Sequence, residues 1–489
     1  MPGVFFFLPA NVEVTVAFVT TPESSTATAE ALFFAANAHW VARELAQAEA
    51  SFREAIGLVP AFAEAHANLA LLLDQSGNKV EAEEHYRLAL DCNPECVQTQ
   101  LNFGAMLAQQ KRFAEAEHAY RRALALRPDS AVAWSNLGVL QACCKDEAAA
   151  ETSYRRAIAL DADYALARFN FSYLLLRQGR FDEGWACLEA RDWYAPLERH
   201  LTCPRWRGED LDGKSILIGF EAGHGDMIQF CRYAALLKER GAARVDLLCH
   251  PGLKTLFATL AAVDQLIGLD DELPATDWDY WTPPMSIPFH CRTRLETIPV
   301  SLPYLHADPE KAARWAALLQ LADVDGAASG RRELRVGLVW KGNPHFENDV
   351  ERSLPGLPLL AALGSLAGVR FVSLQRGAGE DEAADPPAGL HLMNLGPQLA
   401  DFSATAAVIA NLDLVISVDT AVAHLAGAMG KPCWLLLPDY KTDWRWLTGR
   451  SDSPWYPGVM RLFRQPAGGG WGPVIDEVRH ALAALVAPR

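Results

Sequence analysis

A period of 34 residues runs through the first third of the chain and limits its fold more than any other feature. Stepping by that interval links Ala48, Ala82, Ala116 and Ala150, then the aromatics Phe52, Tyr86, Tyr120 and Tyr154, then Ala55, Ala89, Ala123 and Ala157. Pro60, Pro94 and Pro128 make another column, as do Leu69, Phe103, Leu137 and Phe171, with Gly104 and Gly138 following two of them. A fixed period of this length means that each unit is one supersecondary element that cannot bury its apolar face alone, so neighbouring units stack into a solenoid. Five units fit between about residue 29 and 198, and the outer two are degenerate, as expected of repeats with a neighbour on one side only.

These columns resemble the tetratricopeptide repeat (TPR), with its small residue where two helices touch and its aromatic filling the next gap. One column is polar: Asn68, Asn102, Asn136 and Asn170, each immediately before the apolar column. In a repeat of this type the position lies on the first helix, whose face lines the groove. A carboxamide both donates and accepts, so a ladder of four can hold the backbone of an extended polypeptide. Asparagine is also common there in repeats that bind quite different things, and both readings stay open. The four asparagines are the candidate acceptor-binding residues, with a polypeptide partner or acceptor as the expected occupant.

After residue 198 the period stops, and short apolar runs alternate with amphipathic stretches. Ser215 to Phe220 reads as a buried strand, 226–239 as a helix, and Val245 to Leu248 as a second strand. A charged helical stretch and a small-residue run across 305–334 read as a link. A second set then follows, with strands at 335–340, 370–374, 413–417 and 433–437 and helices near 358–366, 402–411 and 421–429. Alternation of this kind implies βαβ units and parallel sheets, with ligands taken at the carboxyl ends of the strands. The expected organisation is an extension (1–28), a repeat array (29–198), a first α/β domain (199–305), a linker (306–334) and a second α/β domain (335–489).

Composition narrows the function. The 489 residues are 50% hydrophobic and 21% charged, enough for several packed cores. A net charge of −16 with no basic stripe argues against a nucleic-acid partner. The ten cysteines are scattered without zinc spacing, which suits free thiols in a reducing cytoplasm. The first twenty residues are apolar but lack a basic start and are interrupted by Pro9, Asn11 and Glu13. An ill-packed terminal extension is expected there, and not a signal peptide or transmembrane segment.

Two loops carry the chemistry. Glu221-Ala-Gly-His-Gly-Asp226 follows the first strand and opens a helix. Its glycines allow the tight turn, and Asp226 lands at the mouth of the cleft, where an acid also caps a helix. Ser417-Val-Asp-Thr-Ala-Val-Ala-His424 joins a strand to a small-residue helix closed by Gly430. Backbone N–H groups at such a start attract anions, and Thr420 and His424 add donors. Lys341, just after the strand ending at Trp340, can bring a cation to the same crevice.

The order and wording of these segments resemble bacterial TPR-containing glycosyltransferases, and the catalytic half is similar to the heptosyltransferase family of lipopolysaccharide synthesis. The closest stretches are 206–233 (WRGEDLDGKSILIGFEAGHGDMIQFCRY), 336–344 (VGLVWKGNP), 370–377 (RFVSLQRG), 413–438 (DLVISVDTAVAHLAGAMGKPCWLLLP), 443–447 (DWRWL) and 453–457 (SPWYP). In architecture alone the chain also resembles the protein O-linked N-acetylglucosamine transferases. The resemblance implies an all-α TPR solenoid followed by an α/β GT-B fold, two Rossmann-like domains facing a cleft. It implies a nucleotide sugar as donor substrate with no separate cofactor, bound by Lys341, Asp419, Thr420, Ala421, His424 and Gln375. It also implies Asp226 as general base, with His224 beside it as the second catalytic candidate. The family pattern has glycine after Asp-Thr, where this chain carries Ala421.

The chemistry this requires is proton removal from an acceptor hydroxyl and relief of charge on a departing nucleoside diphosphate. No Asp-x-Asp pair follows a strand, so no metal is expected, and inversion at the anomeric carbon follows from the resemblance alone. Trp444, Trp446 and Trp455 are candidates to stack on base or sugar, or equally to pack between domains. The competing reading is a TPR scaffold whose glycosyltransferase-like domain is inactive.

Overall fold

The computed structural model describes residues 24–274, 277–324 and 333–487. Most of the expected terminal extension (1–28) lies outside the described residues, and helix begins at Ser24. The chain forms two compact units, one ending at Phe171 and one beginning at Ser172.

The first unit is helical throughout. It comprises α1 (Ser24–Val41), α2 (Leu45–Leu58), α3 (Ala63–Gln75), α4 (Lys79–Cys92), α5 (Val97–Gln109), α6 (Phe113–Leu126), α7 (Ala131–Cys143), α8 (Glu147–Leu160) and the start of α9 (Ala165–Arg177). The sequence columns are its core: Ala48, Ala82, Ala116 and Ala150 are all 0% exposed, as are Phe52, Tyr86, Tyr120 and Tyr154. The small-residue rule has a direct cause at Gly104, where a β-carbon would stand 2.6 Å from Cε1 of Tyr120. Tyr86 meets Phe103 and Tyr154 meets Phe171 across successive repeats, with ring centroids 5.6 and 5.5 Å apart. A second column was not read from the sequence. The turn inside each helix pair enters the left-handed region at Arg43 (φ 64°), Gly77 (90°), Lys111 (61°) and Lys145 (64°), at the same 34-residue step.

The second unit holds two parallel sheets. After α10 (Phe181–Leu188) and the turn α11 (Ala195–Glu198) come β1 (Ser215–Ile218), α12 (His224–Phe230), α13 (Tyr233–Glu239), β2 (Arg244–Cys249), α14 (Pro251–Phe257), β3 (Gln265–Gly268), β4 (Tyr280–Thr282) and α15 (Ile287–His290). The strands lie in the order β3-β2-β1-β4, all parallel. The helix expected over 226–239 is two helices, broken at Cys231-Arg232. Arg232 turns inward, and its Nε donates to the Gln229 carbonyl (2.8 Å), the acceptor a continuous helix reserves for Tyr233.

Helix α16 (Pro309–Val324) occupies the expected link, most of whose remainder, at 325–332, lies outside the described residues. There follow β5 (Leu334–Val339), α17 (Asp349–Arg352), β6 (Val369–Ser373), β7 (Leu392–Asn394), α18 (Phe402–Ile409), β8 (Leu414–Val418), α19 (Ala421–Ala428), β9 (Cys433–Leu437), β10 (Met460–Arg464) and α20 (Gly472–Val486). Their order is β10-β9-β8-β5-β6-β7, again parallel throughout. The chain starts at β5, builds outward to β7, then returns to the other side with β8. That reversal leaves a crevice beyond the carboxyl ends of β5 and β8, where Lys341 and Asp419 follow. In the first sheet the reversal lies between β1 and β4, beside the turn at 221–226. Helix α10 belongs to this unit and is fixed by Trp185, whose Nε1 donates to the Thr293 carbonyl at 3.0 Å.

Candidate functional site

The two crevices open into one cleft of about 860 Å³ within the second unit. Its walls include Gly223, His224, Gly225 and Asp226 from the turn after β1, Lys341 after β5, and Gln375 after β6. Asp419, Thr420, Ala421 and His424 line it from the turn and helix after β8. The structure thus brings together every donor and catalytic residue expected from the sequence.

The turn before α12 carries Ala222 at φ 60°. Asp226 Oδ2 accepts the Gly223 N–H at 2.9 Å, so the capping role is real. Its other oxygen is not idle: Oδ1 is ion-paired with Nη2 of Arg445, which follows β9. The carboxylate therefore caps its own helix and reaches the second sheet's loops at once. His224 lines the cleft beside it. It stacks on His250 at 4.1 Å and packs against Phe402 at 5.2 Å. Burial first, and the neighbouring His250 second, push its pKa down to about 4, leaving a neutral ring at pH 7.

On the side of the second sheet, Thr420 stands at the start of α19 and its hydroxyl meets Ser417 Oγ at 3.0 Å. Ala421 follows, its α-carbon 3.5 Å from where a β-carbon on Gly225 would lie. The His424 Nδ1 shares a 2.8 Å hydrogen bond with the Tyr456 hydroxyl, and the ring stacks on Trp446. Burial, then the cations Arg445, Arg232 and Arg352, hold its pKa well below the ordinary value. His424 is accordingly a neutral donor or acceptor and not a positive charge. Asp419 accepts from Trp446 Nε1 at 2.8 Å, and burial together with the nearby Asp443 carboxylate pushes its pKa upward.

One expected role changes and one open alternative is resolved. Gln375 is 1% exposed and spends its amide on backbone: Oε1 accepts from the N–H of Trp340 (2.9 Å) and Lys341 (3.0 Å), and Nε2 faces the carbonyls of Lys341, Arg376 and Ala378. It shapes the Lys341 loop without an atom left for a ligand. Trp444, Trp446 and Trp455 are 1%, 0% and 0% exposed, so they are core and not stacking platforms. Trp444 and Trp455 join Trp185 and Phe181 in an aromatic cluster. Lys341 lines the cleft, and its Nζ pairs with Glu382 Oε1 at 2.6 Å.

That pairing extends around the cleft. Arg352 is bound to Asp349 (3.1 Å), Arg376 to Glu380 (3.3 Å), Lys441 to Glu347 (3.4 Å), and Arg445 to Asp443 (3.0 Å) and Asp226. Sequence reasoning missed Arg352, Arg376, Lys441 and Arg445, since isolated basic residues carry no spacing signal. Arg445 lay within the DWRWL stretch, where the tryptophans drew the notice. Among the described residues, no group of three or more His, Cys, Asp or Glu side chains is placed to hold a metal ion. No described helix is long and apolar enough to cross a membrane.

In the first unit the asparagine column recurs on α3, α5 and α7 and continues into α9. Asn68 is half-buried, and its Nδ2 donates to Asn37 Oδ1 at 2.9 Å, adding a rung that the 34-residue step skips. Asn102, Asn136 and Asn170 are 5%, 0% and 0% exposed, enclosed where a peptide-holding ladder would need open amides. Asn102 Oδ1 accepts from Gln98 at 3.0 Å, whereas neither amide atom of Asn136 has a partner among the described residues.

Comparison with known proteins fits this division. The tetratricopeptide repeat family matches residues 35–95 and 104–142, and glycosyltransferase family 9 (heptosyltransferase) matches 361–435. Protein FlbA of Caulobacter vibrioides is 29% identical over 346 residues, 65% of this chain and 55% of the relative, so the chain spans about half the length of that curated protein. Among solved structures, Pseudomonas aeruginosa pilF is 22% identical with a TM-score of 0.32, over 34% of this chain and 78% of its own. A tetratricopeptide repeat protein from Parabacteroides merdae is 19% identical with a TM-score of 0.31, over 35% and 68%. By the family matches, this chain carries tetratricopeptide repeats and a glycosyltransferase family 9 (heptosyltransferase) segment, consistent with a TPR-containing glycosyltransferase.

Proposed function

We propose that the second unit is a GT-B glycosyltransferase that moves a sugar from a nucleotide-sugar donor to an acceptor hydroxyl in the cleft. The observation that carries this reading is the convergence of Asp226 and the start of α19 on one cavity, from opposite sheets. Residues 199–305 then present the acceptor and 335–489 the donor. Asp226, fixed beside the cavity, takes the hydroxyl proton as the oxygen attacks the anomeric carbon. The departing diphosphate gathers charge near the start of α19, where the positive end of the helix dipole lies. Lys341 reaches the same charge by leaving Glu382, and neutral His424 contributes only a hydrogen bond. The reaction on this reading is inverting, needs no metal, and takes place in the cytoplasm, with which ten free cysteines are compatible.

One observation favours a second reading. The Lys and Arg side chains of the cleft walls are ion-paired to carboxylates, which suits a retired catalytic domain carried by a protein-binding array. In either case the repeats are proposed to engage a polypeptide, as partner or as acceptor. A thermal-shift panel of ADP, UDP and GDP separates the two. A nucleoside diphosphate at 100 times its Kd stabilises the fold by about 2.7 kcal/mol, whereas an inert scaffold shows no shift.

A further inference from the structure

Arg445 sits in the turn 444–446 after β9, yet its side chain ends in the first sheet's territory. Nη1 donates to both Asp443 oxygens at 3.0 Å, Nε donates to Gln229 Oε1, and Nη2 to Asp226 Oδ1. The side chain is 7% exposed and lies 4.5 Å over the Trp444 ring. A guanidinium so enclosed is stable only with its donors matched, and here its two carboxylate partners come from different sheets. Asp443 is its neighbour in the turn. Asp226 is 219 positions away in sequence and is held from its other side by the Gly223 N–H.

We infer that Arg445 is the positioning residue for Asp226, fixing the carboxylate so that its placement depends on the 443–446 turn being seated. The inference rests on the reading of Asp226 as base. A base anchored at both oxygens keeps one orientation toward the acceptor hydroxyl, and effective proximity falls steeply with small displacements. Because the anchor comes from the donor-side sheet, the base is set only when the two sheets' loops are in register.

The test follows nucleoside diphosphate release from ADP-, UDP- and GDP-glucose by the full chain. Arg445→Met should lower kcat at least tenfold while KM for the donor and affinity for the matching nucleoside diphosphate change less than twofold. Arg445→Lys, which keeps a cation, should recover part of the rate. In an Asp226→Asn background, Arg445→Met should have no further effect on kcat, as expected of residues acting as one unit. A rate unchanged by Arg445→Met, or additive losses in the double variant, overturns the positioning role. Equal loss of nucleoside diphosphate affinity also overturns it, making Arg445 a phosphate ligand. If neither Arg445 variant melts cooperatively, Asp443→Asn removes the anchor instead: a tenfold loss in kcat supports the role and an unchanged rate overturns it. Asp226→Asn at the wild-type rate, or a wild-type chain without turnover on any of the three donors, defeats the underlying base reading instead.

Discussion

Cδ2 of the His424 imidazole stands 3.0 Å from the point where a β-carbon on Gly225 would lie. The starts of α12 and α19 therefore approach as closely as their side chains permit. His424 has little room to yield, being bonded to Tyr456 at 2.8 Å and stacked on Trp446 at 5.2 Å. Gly225→Ala should cost roughly 1–2 kcal/mol, in the range of other overpacked sites. The check is a lowered denaturation midpoint together with weaker nucleoside diphosphate binding. An unshifted midpoint would show that the helices separate freely.

Lys341 and Glu382 make opposite predictions from one ion pair. Against the upward push of burial, Lys341, the Leu357 N–H and Trp340 hold the Glu382 carboxyl below its ordinary value. A diphosphate must compete with that carboxylate for Lys341. Glu382→Gln should raise nucleoside diphosphate affinity severalfold and leave nucleoside affinity alone, while Lys341→Ala lowers the first selectively. Titration calorimetry with both ligands separates these outcomes. Equal effects on nucleoside and diphosphate would remove Lys341 from the phosphate site.

Neutral histidines give the second unit a defined acid sensitivity. His224 is protonated below about 6.5 in an unfolded chain but not until about 4 when folded. The unfolded state thus binds more protons between those values, so this contribution is complete above pH 6.5 and is lost as pH falls toward 4. His224→Phe, which keeps the stack on His250 and Phe402, should flatten the fall in melting temperature across that window. A parallel fall in both proteins would contradict the assignment.

The repeat array offers a test on the backbone alone. Lys145 at φ 64° and Gly77 at φ 90° occupy equivalent turns. A side chain in the left-handed region costs roughly 1–2 kcal/mol, less the entropy that glycine adds to the unfolded chain. Lys145→Gly should stabilise the array by about 0.5 kcal/mol, and Gly77→Ala should destabilise it by about 1 kcal/mol. Urea midpoints of the paired variants measure both signs.

Much of this was legible because it is periodic. The alanine and tyrosine columns marked the helix pairs, and uninterrupted apolar runs such as LVISV marked buried strands, β8 falling one residue from its expected place. The left-handed column escaped notice because only Gly77, among the four turn positions of the first unit, is a glycine. The break at Arg232 depends on a side chain reaching the Trp455 carbonyl at 2.7 Å, a contact across 223 positions. The site divides the same way. Asp226 and Thr420 could be placed because they sit in turns next to strands, where local pattern suffices. Arg445 could not, since its pairing with Asp226 exists only once both sheets have folded. Composition left two readings of three tryptophans in one segment open, and burial decides for packing: Trp444 and Trp455 fill the core around Trp185, and Trp446 lies against His424.

The central claim is that Asp226 serves as base in a cleft that binds a nucleotide sugar. Its most direct test measures nucleoside diphosphate release from the sugar nucleotide that best stabilises the full chain, for the wild type and for Asp226→Asn. Loss of at least a hundredfold in rate with nucleoside diphosphate affinity held within about twofold is the predicted result, in keeping with the weight of general base catalysis. Release by Asp226→Asn at the wild-type rate would contradict the account and leave Asp226 as a helix cap.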